Sequence, residues 1–574
     1  VLLGAGWVGL RTYQAYRHLD RAAQQVTLLQ QQVKTLDEID LTQAGAAVSR
    51  MRSEADGAVG DTRDPLYRLA GHLPFIGPNL RAVAMIASTV DDLATTTAPT
   101  LINVATAVQP AALAPRSGVI DLAPMVAAAP ALAAADAAVA SSQQRMAAID
   151  RGPLVGPVSR GVDDLQTKLA GLGRTTAAAV RISRLAPTML GHNGARTYLV
   201  VFQNLAEPRA TGGLFGSYAL LKVDDGKLSI GPQGSGSRDL GTFAPPLTMP
   251  ASLPSALYGN LPATYATDAN LTPDFPTAAA LLAQMYQIRN HLRIDGVLAL
   301  DPVALSYLLV GAEPIPIGHG LELTSANITR TLLSTAYALY PRASDGPRRE
   351  AFLDSAAERA FLAVTNIRTS AKTVLRGLVK ASDQHRLLLW SANRTEQTDI
   401  EATGVAGRLP SVDGHTPTIG LFRNDGTGGK LGYYAGGSAA LTSGACTADA
   451  RRALTLTAHL TYSAPATGLP AYVIGYATAG PYVLRTNLLI FGPLTGSLTA
   501  ISVDGQHRPV IWATEGGRRV GMVTIDLKPG ASATVVATLS IAAPASGSPA
   551  LLPALNLTPG VTSWKTTAEP IDPC

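Results

Sequence analysis

Three separated stretches of the chain each bring an arginine together with glycines, hydroxyls or carboxylates, a set suited to binding a pyrophosphate. The first is Phe202-Gln-Asn-Leu-Ala-Glu-Pro-Arg-Ala-Thr-Gly-Gly213, where Arg209 offers a planar fork and Gly212 and Gly213 permit close backbone approach. The second is Ser235-Gly-Ser-Arg-Asp239, which supplies Arg238 and the carboxylate of Asp239. The third is Asp345-Gly-Pro-Arg-Arg349, where Arg348 and Arg349 open a helical pattern. Each has a plainer reading. Arg238 and Asp239 can be a local surface pair, and Arg348 and Arg349 a solvated helix start.

Other motifs are weaker. Asn424-Asp-Gly-Thr-Gly-Gly-Lys430 has the composition of a phosphate loop, but Leu431 stands where a hydroxyl must hold magnesium, so a turn is expected there. Asp268, Asn270 and Asp274 read as helix caps, and His291 and His319 stand alone rather than in a metal-ligand spacing. Gly4-Ala-Gly-Trp-Val-Gly9 matches a dinucleotide fingerprint, yet three residues precede it and Gln30 occupies the acidic place. No H-E-x-x-H, C-x-x-C, G-x-S-x-G or P-loop motif occurs, which disfavours zinc peptidases, elbow-type serine hydrolases and P-loop NTPases.

The elements that must position these residues follow from length and pattern. The 574 residues are 47% hydrophobic and 15% charged, with formal net charge +5, so the chain folds into several domains and presents no general surface for nucleic acid. Residues 1–10 are apolar and read as the end of a membrane-anchor helix, with Trp7, Tyr13, Tyr16, Arg11 and Arg17 forming an interfacial belt. Helical periodicity over 11–190, broken at Leu73-Pro-Phe-Ile-Gly-Pro78, predicts a stalk or bundle; a partner-binding coiled coil is the sharper alternative. Strands alternating with helices over 195–410, including a long helix over 348–380, predict an α/β/α sandwich. Seven short alternating runs from 453 to 541 predict an all-β, immunoglobulin-like sandwich over 418–574. Cys446 is expected before its first strand and Cys574 after its last. These are the two cysteines of the chain; one disulfide between them is the economical reading and points to an extracytoplasmic compartment.

Tyr198-Leu-Val-Val-Phe-Gln-Asn204, Arg209-Ala-Thr-Gly-Gly213, Gly216-Ser-Tyr218, Asp274-Phe-Pro276, Ile294-Asp-Gly-Val-Leu-Ala-Leu-Asp301 and Lys430-Leu-Gly-Tyr-Tyr434 together resemble the bacterial domain-of-unknown-function 4012 family over about 195–435. That resemblance implies membrane anchoring and a link to envelope polysaccharide, without an established activity. The order of strand, Arg loop, Arg-Asp and Asp-x-x-Arg-Arg resembles, more distantly, the LytR-CpsA-Psr phosphotransferases, which act on polyprenyl pyrophosphate carriers. By that likeness Arg209, Arg238, Asp239 and Arg348 are catalytic. Arg209, Gly212, Gly213, Arg238, Arg348 and Arg349 hold phosphate, and Asp239 and Asp345 hold Mg2+. Asn204 and Gly212 depart from it, standing where acidic residues are expected.

The function expected is therefore a membrane-anchored, extracytoplasmic cell-envelope protein that binds, and transfers, a polyprenyl-phosphate-linked glycan or other lipid. The alternative is a non-enzymatic surface scaffold with a degenerate α/β domain and protein partners on its helical stalk.

Overall fold

The computed structural model describes residues 2–34, 41–107, 118–365, 371–476 and 478–574. The chain divides into two compact units, Val1–Gly194 and Ala195–Cys574.

Among the described residues, the first unit is built of helices: α1 (Leu2–Lys34), α2 (Leu41–Thr62), α3 (Pro65–Ala70), α4 (Gly77–Asp92), α5 (Ala98–Ala107), α6 (Ala123–Ala147) and α7 (Gly156–Met189). Gly4 to Gly9 lie inside the continuous helix α1 with no turn between them, so they do not form the strand-to-helix turn that a dinucleotide site needs. The break at 73–78 separates α3 from α4, as its prolines demand. Ala22, Met51, Ile86, Val139, Met146, Val162 and Leu169 from five helices form one core, the bundle form of the expectation. Within the belt expected near the start, Trp7, Tyr13 and Tyr16 are all exposed, and the Trp7 indole donates to Asp64 at 3.2 Å under the Arg11 guanidinium. By length and composition α6 is apolar enough to cross a membrane. In the bundle its Asp136 accepts the Thr176 hydroxyl of α7 at 2.5 Å.

The second unit begins with β1 (Arg196–Arg209), β2 (Gly212–Asp224), β3 (Lys227–Ser235), β4 (Gly296–Leu300), the small hairpin β5 (Ile315–Gly318) and β6 (Leu321–Leu323), and β7 (Leu387–Ser391). The main sheet has the order β3-β2-β1-β4-β7; β1 and β4 are parallel and the other pairs antiparallel. Alternate residues of β1 face opposite layers. Leu199 and Val201 pack with the helix Phe275–Asn290, and Val200 packs with Ala304, Leu332, Phe352 and Ala381 from helical segments on the other side. This is the mixed α/β layering expected for 195–410. The helix expected over 348–380 is two, Gly346–Thr365 and Ala371–Asp383, with 366–370 outside the described residues.

The rest of the unit is β8 (Thr418–Asp425), β9 (Ala435–Cys446), β10 (Arg451–Tyr462), β11 (Leu484–Phe491), β12 (Gly496–Val503), β13 (Gln506–His507), β14 (Ile511–Glu515), β15 (Arg518–Leu527), β16 (Ser532–Ala542), β17 (Ala554–Leu557) and β18 (Lys565–Ala568). They form two sheets, β13-β12-β16-β10-β9-β18 and β14-β15-β11-β8-β17. The run 471–477, expected as a strand, instead begins as the short helix Ala471–Ile474. Two strands precede the first one expected, so Cys446 closes β9 rather than preceding the sandwich; its bond to Cys574 fastens the chain's last strands. Strand β8 is buried on both sides. Ile419 and Leu421 enter the core between the two sheets, and Phe422 packs with Phe491, Met522 and the α/β helix residues Phe275 and Leu282. Its sequence therefore lacks the period-two alternation of a half-exposed strand.

Candidate functional site

The segment expected to be a ligand loop after the first strand is strand. Strand β1 continues through bulges as far as Arg209 and turns through Ala210 and Thr211 into β2, with Arg209 opposite Gly212 and Pro208 opposite Gly213. Gly213 is needed because a Cβ there would lie 2.2 Å from the Asn204 carbonyl oxygen, and its N–H donates to Gln203 Oε1 at 3.1 Å. Gly212 adopts φ 144° at the turn. Both glycines thus serve a hairpin rather than a phosphate cradle.

Placing the hairpin inside the unit buries the charges at its end. Arg209 and Glu207 are each 6% exposed. The Arg209 guanidinium donates from Nε and Nη2 to Asp268 Oδ1 at 2.9 and 2.7 Å, from Nη2 to Glu207 Oε1 at 3.2 Å, and from Nη1 to the Pro208 carbonyl at 3.0 Å. Glu207 Oε2 accepts from the buried Lys430 ammonium, which arrives from the turn after β8. Burial alone would raise the Glu207 carboxyl, but Lys430 and Arg209 outweigh it and hold its pKa below the usual carboxylate range. Burial would lower Arg209 and Lys430, and the facing carboxylates raise both instead.

Aromatic rings close this cluster. Tyr337 and Tyr472 stack with centroids 5.8 Å apart, and the Tyr337 hydroxyl accepts from Asn204 Nδ2 at 2.7 Å. Arg349 lies 3.7 Å over the Tyr472 ring, and the Lys430 ammonium lies 5.3 Å from the same ring. Asp425 bonds to Thr427 and to the Gly428 N–H, and burial, helped by Glu207, pushes its pKa up to about 6.

The three arginine segments therefore divide between two places. Arg209 and Arg349 enter the buried cluster, while Arg238 is half exposed and pairs with Asp239 at 2.9 Å and with Glu350 of the helix Gly346–Thr365. Glu350 brings that edge to exposed Arg348, and Asp354 beside it is pushed up to about 6 by burial. The two aspartates expected to hold Mg2+ each have a local partner. Asp239 receives the Arg238 guanidinium and the Ser235 N–H at 2.6 Å, and Asp345 receives the Arg342 N–H at 3.1 Å to cap its own turn. Among the described residues, no group of three His, Cys, Asp or Glu side chains is placed to hold a metal.

Two expected caps are something else. Asp268 is the principal partner of Arg209, and Asn270 is fully buried, donating to Thr211 Oγ1 at 2.8 Å and the Gly213 carbonyl at 2.9 Å. Asp274 does precede a helix, where it accepts the Thr277 hydroxyl at 2.8 Å. His319 bonds to the Tyr340 hydroxyl at 2.7 Å, and His291 ends a helix in the left-handed conformation. Glu207, Lys430, Asp425, Tyr337 and Tyr472 were not legible as site residues. Their signals are that Glu207 lies in the first arginine stretch and that Asp425 and Lys430 share the glycine-rich run 424–430, Lys430 also opening a motif of the family resemblance.

Residues 193–337 match a family model described as a protein of unknown function, DUF4012. The match includes Glu207, Arg209, Asp268 and Tyr337, while Lys430, Asp425 and Tyr472 lie beyond it. No curated protein matches the chain.

Proposed function

With residues 193–337 a DUF4012 segment, we propose that this chain is a non-enzymatic, extracytoplasmic scaffold of the cell envelope, in which the α/β part and the β-sandwich act as one body. The observation that carries this reading is the internal saturation of Arg209. Every nitrogen of its guanidinium already donates to Asp268, Glu207 or the Pro208 carbonyl, leaving no fork for a phosphate. The Cys446–Cys574 bond supports an oxidising compartment. In this reading α1 joins the protein to the membrane and the helical unit meets protein partners.

A second reading keeps a polyprenyl-phosphate-linked glycan as ligand, and with it transfer, at the edge formed by Arg238 and Arg348. Its support is that Glu350 draws Arg238 to the start of the helix that carries Arg348, both arginines remaining open to solvent.

Titration of a short-chain polyprenyl pyrophosphate into the full chain, with and without Mg2+, separates the two. The scaffold predicts no saturable binding by wild type or by an Arg238→Ala/Arg348→Ala variant. Saturable binding that the variant loses would replace the scaffold with the second reading.

A further inference from the structure

Arg423 projects from β8 on the same side as Ile419 and Leu421, into the interior between the two sheets, and is 4% exposed. Its neighbours in the charged cluster have partners: Arg209 has Asp268 and Glu207, and Lys430 has Glu207. Arg423 has no carboxylate within ion-pair distance among the described residues, and its Nε is buried without a hydrogen-bond acceptor. The nearest aromatic face is Trp564, 5.1 Å from the guanidinium carbon, and its indole N–H is likewise buried without an acceptor. Of the two, Arg423 lines a cavity. Burial by itself lowers the Arg423 pKa to about 10, so the group is still a cation at neutral pH.

A buried cation without a counter-charge is strongly unfavourable. Asp425, two residues along the same strand face, makes no ion pair with it: the charges that act on Asp425 are Glu207 and Arg209, and its oxygens accept from Thr427 and the Gly428 N–H. Beside Arg423 is a cavity of about 10 Å³, whose lining includes Pro208, Asp425, Gly432, Thr461 and Thr486. That is room for a single small particle, too little for a phosphate or a carboxylate ligand.

We propose that this cavity binds one small monatomic anion of chloride size, held by the Arg423 guanidinium. The ion would be the counter-charge that the fold does not supply from its own side chains. It sits where Pro208 of the α/β part meets the sandwich, so its binding stabilises the whole of the second unit rather than a surface loop. The proposal does not depend on whether the chain is a scaffold or a glycan-binding protein.

The test is thermal unfolding of the full chain at constant ionic strength, with gluconate exchanged for chloride or bromide. Raising the halide about 100-fold is expected to raise the midpoint saturably by about 1–3 °C, whereas gluconate, too large for the cavity, gives no shift. Arg423→Met is expected to lose the halide response. A wild-type midpoint insensitive to halide, or an equal response in Arg423→Met, overturns the proposal. Should that variant fail to fold, anomalous scattering from wild-type crystals grown in bromide decides: a bromide peak beside the guanidinium upholds the site, and a water alone sinks it.

Discussion

Lys430 and Glu207 stand 223 residues apart in the sequence and form a buried ion pair, the Lys430 ammonium donating to Glu207 Oε2. One partner follows the first strand of the β-sandwich and the other ends β1 of the α/β sheet, so the pair ties the two parts of the second unit together. Arg209 on the other carboxylate oxygen extends the tie to Asp268.

Breaking that pair from one side strands a charge. Lys430→Met is expected to destabilise the second unit by about 3–5 kcal/mol in urea denaturation, because Glu207 then keeps only Arg209. The double variant Glu207→Gln/Lys430→Met removes both charges and is expected to recover much of the loss. Additive losses would mean that the two side chains act independently.

Arg209 and Arg238 should behave in opposite ways. Arg209→Lys cannot keep the fork between Asp268 and Glu207 and is expected to cost about 2 kcal/mol or more. Arg238→Ala removes an exposed pair and should change stability by less than about 1 kcal/mol. Equilibrium unfolding of both variants, compared at one pH, checks the contrast.

Glu515 carries a pH dependence of known sign. Its carboxylate, on β14, accepts the Thr272 hydroxyl at 2.5 Å and the Tyr258 hydroxyl at 2.7 Å, and burial pushes its pKa up to about 7. The folded chain thus binds this proton more tightly than the unfolded chain, whose Glu titrates near 4.5. The contribution of Glu515 is therefore greatest below the unfolded pKa and falls as pH rises from about 4.5 to about 7. Glu515→Gln is expected to flatten that slope, which denaturation curves at pH 5 and pH 8 would show. An unchanged slope would assign the dependence to other groups.

The Cys446–Cys574 bond fixes the terminal strand β18 beside β9. Replacing both cysteines by serine is expected to lower stability by about 2–5 kcal/mol and to abolish any midpoint shift on adding reductant. A reductant shift that persists in the double variant would have to come from elsewhere.

Element type was largely legible because it is a local property. The pattern from 196 to 235 marks three strands, the prolines near 73–78 break the helices, and period-two runs mark the strands of the sandwich from 451 onward. Extents failed where an element is buried on both faces or bonded in an unusual way. Strand β8 lacks alternation, and Phe202 to Gly213 looked like a loop because its glycines and proline hide the strand that bulges accommodate.

The site divides in the same way. Residue types and spacing by themselves determined that Arg209 is a special arginine, that the two cysteines suit one bond, and that helical, α/β and all-β regions follow in that order. Only the tertiary structure decided what Arg209 does. Its partner Asp268 has the local signature of a helix cap, and Lys430 reaches the same cluster from 221 residues further on. Periodicity reports which way a side chain faces within its own element. Whether a buried guanidinium finds a carboxylate depends on which distant segment the fold places opposite it: Arg209 meets Asp268 and Glu207, while Arg423 meets neither.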